Sequence, residues 1–205
     1  MSAVRDRLPR SRGFTLFEVL IAFFIISIGL VGVVSLQAMS KAAQHQAVQR
    51  SRAVTLADQM LEMIRGNPRG VVRYNIGASA VGGGSIADQP TPNCISAACD
   101  PNQMAAHDLW SWEQALDGAG VTAADGGGTS AGLIQPRGCV VFTPDTANGK
   151  ARTGTVDVVI QWRGLQDTSD ATGGGFVCGD DFAAADVGFR RQVILSTYVV
   201  DEMEL

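Results

Sequence analysis

The sequence predicts an α+β protein, in which a long N-terminal membrane-spanning helix packs on a small head built around an antiparallel β-sheet. Three observations carry that prediction. Residues Val19 to Leu36 form an uncharged run behind a basic flank. Apolar residues then recur at spacings of three and four as far as Ile64. Three runs rich in β-branched and aromatic residues occupy the last third of the 205 residues.

The uncharged run is long enough to cross a bilayer, for which about 18 to 20 apolar residues suffice. Lipid offers the backbone no hydrogen-bond partners, so such a segment must be helical. Arg5, Arg7, Arg10 and Arg12 precede it against a single Asp6. That basic flank is expected to stay on the cytoplasmic side, with the rest of the chain, the head included, on the other side of the membrane. Glu18 is the anomaly, because a carboxylate in the apolar phase costs roughly 2.5–3.5 kcal/mol and calls for a partner. Either it lies at headgroup level, or it awaits a positive charge on another chain. A cut between Gly13 and Phe14 would create a new α-amino group about one helical turn before it.

Residues 1–13 read as a leader without the apolar core of an ordinary secretory signal, since the apolar run follows the proposed cut instead of preceding it. Helical periodicity goes on beyond Leu36. Ala53, Leu56, Ala57, Met60, Leu61 and Ile64 form one stripe, and Gln44, Gln49, Arg52, Asp58, Gln59 and Glu62 are assigned to the opposite face. Gly66-Asn67-Pro68 is a stop signal, and Arg65 suits the negative end of the helix. A helix from Phe14 to Arg65 would be roughly 78 Å long. The chain therefore divides into a leader (1–13), a lipid or filament-core half of the helix (14–36), an amphipathic half (37–65) and a head (66–205). Gly29 and Gly32 weaken the first half by ~1 kcal/mol each relative to Ala, serving either close helix packing or local melting.

Within the head, 77–93 is rich in Gly, Ala, Ser and Pro and reads as an exposed loop. Asp100-Pro101-Asn102-Gln103 is a helix start with a capping-box pattern, and Ala105, Leu109, Trp112 and Leu116 give that helix an apolar face ending at Gly118. A second Gly-rich loop continues to Gly132, and its Asp125-Gly-Gly-Gly128 lacks the Lys-Ser/Thr of a phosphate loop. Cys139–Phe142, Thr155–Trp162 and Val193–Val200 are the three strand runs, expected to be antiparallel with one face on the long helix.

Four cysteines, Cys94, Cys99, Cys139 and Cys178, all lie beyond the apolar run and so in an oxidising compartment. Three pairings are open. Proximity in sequence and the strand layout favour Cys94–Cys99 and Cys139–Cys178, the latter contributing about 3–4 kcal/mol in the chain-entropy account. A Cys139–Cys178 bridge would tie the loop 164–188 to the sheet edge. No Cys-x-x-Cys pair exists and the only histidines are His45 and His107, which argues against zinc. Asp145, Asp157, Asp167, Asp170, Asp180 and Asp181 lack the alternating spacing of a calcium loop. The expectation is no metal and no cofactor. No nucleophile, base and orienting group recur in a catalytic pattern, so the chain reads as a structural subunit and not an enzyme.

The stretch Gly13-Phe14-Thr15-Leu16-Phe17-Glu18-Val19-Leu20 resembles the prepilin motif of type IV pilins and of type II secretion pseudopilins. The resemblance implies a type IV pilin-like fold. It also implies that a prepilin peptidase cuts after Gly13 and N-methylates Phe14. Glu18 would then contact the N-terminal amine of a neighbouring subunit during assembly. The stretch Phe17–Gln37, closing with Val33–Gln37, and the segments Leu109–Trp112, Cys139–Phe142 and Val158–Gly164 are similar to those of minor pilins. Partners implied are other minor pilins and the major pilin, with the inner membrane holding the chain before assembly. The runner-up role is a minor pseudopilin of a type II secretion system. A third is a DNA-uptake or surface-binding pilin. Removal of residues 1–13 takes away four Arg and one Asp, leaving 12 basic against 19 acidic residues. A net charge of −7 gives no general attraction for nucleic acid, and none is expected as a partner.

Overall fold

A computed structural model describes residues 13, 15–119, 131–168, 176–179 and 184–205, with 184–186 described by backbone alone. Residues 1–12 of the leader, Phe14, most of the loop carrying Asp125–Gly128, and Asp170, Asp180 and Asp181 lie outside the described residues. The chain divides into two compact units, 1–45 and 46–205. Helix α1 (Leu16–Gly66) begins in the first and ends in the second.

In the first unit the 18-residue apolar window of α1 has a mean hydropathy of 2.8 and no residue buried within the chain. In the second unit the helix turns amphipathic. Ala53, Leu56, Ala57, Met60, Leu61 and Ile64 are buried, as their spacing requires. Gln49 is buried with them, although its polarity assigns it to the opposite face. It stands four residues before Ala53, and helix geometry puts it on the same stripe whatever its side chain. Arg65 ends the helix, paired with Glu62 and donating from Nη2 to Thr197 Oγ1 at 2.8 Å.

A 3-10 turn (Pro68–Gly70) and a single turn α2 (Val71–Tyr74) come next. Helix α3 (Pro101–Leu116) starts with a complete capping box: Asp100 accepts from the Asn102 and Gln103 amides, and the Gln103 side chain accepts from the Asp100 amide. Asn67 Nδ2 donates to Pro101 O at 2.7 Å and the Tyr74 hydroxyl donates to Asp108, joining the end of α1 to α3. Burial, first, and then the Asp108 carboxyl raise the Tyr74 hydroxyl pKa, so this donor keeps its proton. The core is closed from the α3 side by Trp112, wholly buried, whose Nε1 donates to Leu56 O in α1 at 2.8 Å. That bond satisfies the one polar group of the indole where no water reaches it.

The sheet has strands β1 (Ile134–Pro144), β2 (Gly154–Arg163) and β3 (Arg190–Val199) in the order β1-β2-β3, all antiparallel. Val140, Phe142, Val156, Val158, Ile160, Trp162, Val193 and Val199 share one core with the stripe of α1 and the apolar face of α3. Each observed strand extends its apolar run by one to five residues at an end, except that β3 stops one residue short of Val200. At the start of β1 a bulge interrupts the register between Ile134 and Arg137, where Pro136 lacks an amide and Gln135 takes a φ of 48°.

Cys94 bonds to Cys99 and Cys139 to Cys178. The second bond fastens the loop to an outermost strand, as expected, but on its face. Cys139 is on β1 but faces away from the helices, and Cys139, Val159 and Cys178 form a second buried cluster with Phe176 and Ala80 against it. Residues 176–179 thus lie over the other face of the sheet. The Gln161 carboxamide exchanges hydrogen bonds of 3.0 and 3.1 Å with the Cys178 backbone, and Gln192 Nε2 donates to Phe176 O at 3.0 Å.

The Gly-rich loop is exposed along most of 77–93, but one part is held. The Glu113 carboxylate, wholly buried, accepts from the amides of Gly82, Ser85 and Ile86 and from the Ser85 hydroxyl, at 2.5–2.9 Å. One turn on, Asp117 accepts from the amides of Gly83 and Gly84 at 2.7 and 2.9 Å. Three consecutive glycines at positive φ let successive amides point at the two carboxylates.

This packing has two measurable outcomes. A methyl at Gly138 would run into the Trp112 ring and lie 2.8 Å from Leu116 Cδ1. Gly138→Ala is expected to cost about 1–3 kcal/mol in denaturant unfolding of the detergent-solubilised chain, monitored by tryptophan fluorescence. The Arg152 guanidinium, then the Met203 amide, holds the Asp201 carboxyl below the usual carboxylate range. Because the folded pKa is lowered, the stability Asp201 contributes is present above its unfolded value of about 4 and is lost as pH falls through the folded value. Asp201→Asn should therefore unfold more easily than the parent at pH 7, and the gap should close as pH falls below about 4, as read by thermal melts across that range.

Candidate functional site

The start of α1 combines three things: a small exposed residue, a cap and an acid. Gly13 is exposed and lies outside the helix, with open space around the position a Cβ would take. Thr15 caps the helix. Its carbonyl accepts from the Glu18 and Val19 amides at 3.1 and 3.3 Å, and its hydroxyl accepts from the Glu18 amide at 3.3 Å. Thr15 is a functional position absent from the sequence-based expectations. Its signal is the Thr-x-x-Glu spacing of a capping box in Thr15-Leu16-Phe17-Glu18.

Glu18 sits in the first turn and is exposed. The helix N-terminus favours an anion there by about 0.3–1 kcal/mol, which gives the acid a local stabilisation independent of any partner. It is the only charged residue between Leu16 and Ser40. Around and beyond it the apolar side chains point outward: Leu16, Phe17, Phe23, Phe24, Val31, Leu36 and Met39 are all two-thirds or more exposed. A surface of this kind is stable only against lipid or against the same kind of surface on other helices.

The polar groups inside the apolar segment are closed off within the helix. Ser27 Oγ donates to Phe23 O at 2.7 Å and Ser35 Oγ to Val31 O at 3.0 Å. This four-residue back-bonding leaves no hydroxyl hydrogen to be desolvated in lipid. Gly29 and Gly32 leave open space where side chains would stand, a place where another helix can come close. Glu18 is thus the single group in the segment that an apolar environment leaves needing a counter-charge. Among the described residues no cluster of three His, Cys, Asp or Glu side chains is arranged to hold a metal ion.

Two family models match the chain. The prokaryotic N-terminal methylation motif matches residues 8–34, and the type IV pilin Tt1218 model matches residues 35–110. Over residues 35–110 the chain is similar to the type IV pilin family. The first match takes in Gly13, Phe14 and Glu18, and the second runs from the end of the apolar segment through α1 and into α3. No curated protein and no solved structure matches the chain. Its long N-terminal apolar helix and small three-stranded antiparallel sheet are consistent with a type IV pilin fold. Its motif implies processing by a prepilin peptidase and assembly with other pilins, and its apolar helix fits anchoring in a membrane. The type IV pilin family is structural, not enzymatic.

Proposed function

We propose that this chain is a minor subunit of the type IV pilus, similar to the minor pilin PilV, the type IV pilus modification protein. Its precursor is held in the inner membrane with residues 1–13 in the cytoplasm and the head in the periplasm. Prepilin peptidase cuts after Gly13 and methylates the amine of Phe14. The mature chain then joins other minor pilins and the major pilin at the start of assembly, and so supports twitching motility and adhesion at the cell surface.

One observation carries this reading. Glu18 is the only charge on a wholly apolar, outward-facing helical surface, and the cut after Gly13 supplies an amine of opposite sign about one turn away on every incoming subunit. In an apolar medium an unpaired carboxylate costs several kcal/mol, so pairing with that amine gives the subunit both affinity and axial register. The two disulfides suit an exported head.

The test is complementation of a strain lacking the chain. Loss of surface pili and twitching in that strain supports the reading; loss of enzyme secretion with pili intact would instead make the chain a pseudopilin. In the same background Gly13→Trp should accumulate as uncut precursor on immunoblots, and normal maturation would rule out the processing claim. With Glu18→Ala cleavage should persist while piliation falls to the level of the deletion. Unchanged piliation would mean that Glu18 is a tolerated headgroup residue.

A further inference from the structure

The two edges of the sheet are treated differently. The outer edge of β1 is closed by the chain itself. Val81 and Gly138 exchange amide-carbonyl bonds of 2.8 Å, the Ile76 and Gly77 amides both donate to Val140 O, and the Phe142 amide donates to the Asn75 side chain. These contacts also set the direction of every backbone group in the sheet. Gly138, Val140 and Phe142 point away from β2, so Cys139, Val141 and Thr143 point toward it. By the registers Cys139 with Val159 and Val159 with Ile194, residues 191, 193, 195, 197 and 199 of β3 bond to β2, and Gln192, Ile194, Ser196 and Tyr198 turn their amides and carbonyls outward.

Among the described residues nothing bonds to those four outward pairs of backbone groups. Gln192 to Val199 contains no charge and no proline, and its register with β2 runs without a bulge. Unprotected edges of this length are normally blunted by a Lys, a Pro or a bulge, because they template pairing with another chain. Here Ile194 and Tyr198 are about half exposed beside the open edge.

We propose that the outer edge of β3 receives an extended strand from a different pilin subunit, added antiparallel as a fourth strand of the sheet. This rests on the reading that the chain enters a filament. A second copy of this chain is a poor occupant. Gln46 at the start of the second unit bonds to Gln166, whose carbonyl accepts from Arg191, while Arg65 bonds to Thr197. Strand β3 therefore runs in the same direction as α1 within this unit. Antiparallel pairing of two β3 strands would set their α1 helices head to tail, whereas every copy has its apolar segment on the same side of its head sequence and inserts the same way round. Parallel pairing needs the strands offset along their length, which a closed two-fold does not supply. A subunit with an edge strand running against its own helix meets both conditions. Main-chain bonds give such a contact its strength and the exposed Ile194 and Tyr198 its selectivity.

The experiment compares the tagged full-length chain in detergent with the same chain in sheared filaments, by hydrogen exchange resolved to single amides. In detergent the amides of Val193, Leu195 and Thr197 should be protected and those of Ile194, Ser196 and Tyr198 should not. In filaments the second set should slow by roughly 100-fold. Ile194→Pro removes an outward amide and leaves the inward ladder in place, since an edge strand tolerates proline with that side facing out. It should be lost from filaments by about tenfold or more while Val193 and Leu195 stay protected in detergent, and Ile194→Thr should be retained. Unchanged exchange at 194, 196 and 198 in filaments that contain the chain would overturn the proposal alone. Absence of the chain from filaments would overturn the filament reading, and the proposal with it. Protection that appears in detergent and rises with protein concentration would make a second copy the occupant and overturn it too.

Discussion

Lipid has nothing to offer a hydrogen bond, and the first half of α1 is built to ask for nothing. Its backbone bonds to itself, and both of its serines return their hydroxyl hydrogens to carbonyls four residues back. Against that background one carboxylate matters out of proportion to its size. Glu18 would be unremarked on a solvated helix, where an acid in the first turn is common. On this surface it is the one charged group, and its energy depends on what stands opposite it. The cap at Thr15 fixes the turn from which Glu18 projects.

The second half of the same helix faces a different requirement. It must fill a core shared with α3 and the sheet, and Ala53, Ala57, Met60 and Ile64 stand at the positions wholly shut off from solvent. Trp112 fills the space between α3 and β1 so closely that position 138 has no room for a side chain. The indole is also tied to the helix backbone at Leu56. One ring thus touches three elements, α1, α3 and β1.

Features set by local spacing are legible in the sequence. The apolar run, the three-and-four stripe from Ala53 to Ile64, the stop at Gly66-Asn67-Pro68 and the capping box at Asp100 each need only a few neighbouring residues to define them. Features that need a partner distant in sequence are not legible in this way. Glu113 reads as an ordinary polar position on an amphipathic helix, and only folding brings the Gly82–Ile86 amides around it. Polarity puts Gln49 on the wrong face, because on a helix the position of a residue outweighs its chemistry. The connection between strands points Cys178 to the sheet edge without fixing the face. Which side of the sheet Cys139 occupies depends on register, and register depends on the bulge before Arg137. The open edge of β3 is hidden from the sequence for a related reason, since strand order and the closure of the opposite edge are properties of the whole sheet.

The carboxylates of α3 have a consequence for how such heads diverge. Glu113 and Asp117 grip the chain up to Ile86, and the cap at Asp100 grips it again at the start of α3. Between these two clamps the backbone has no duty to the core. The Cys94–Cys99 ring there closes on itself, with Ile95 at its tip more than four-fifths exposed. None of residues 87–99 is buried, so a change of length there costs the core little. Selection can rewrite their length and chemistry, and with them whatever the tip meets, while the helix, the sheet and the grip of α3 go on unchanged.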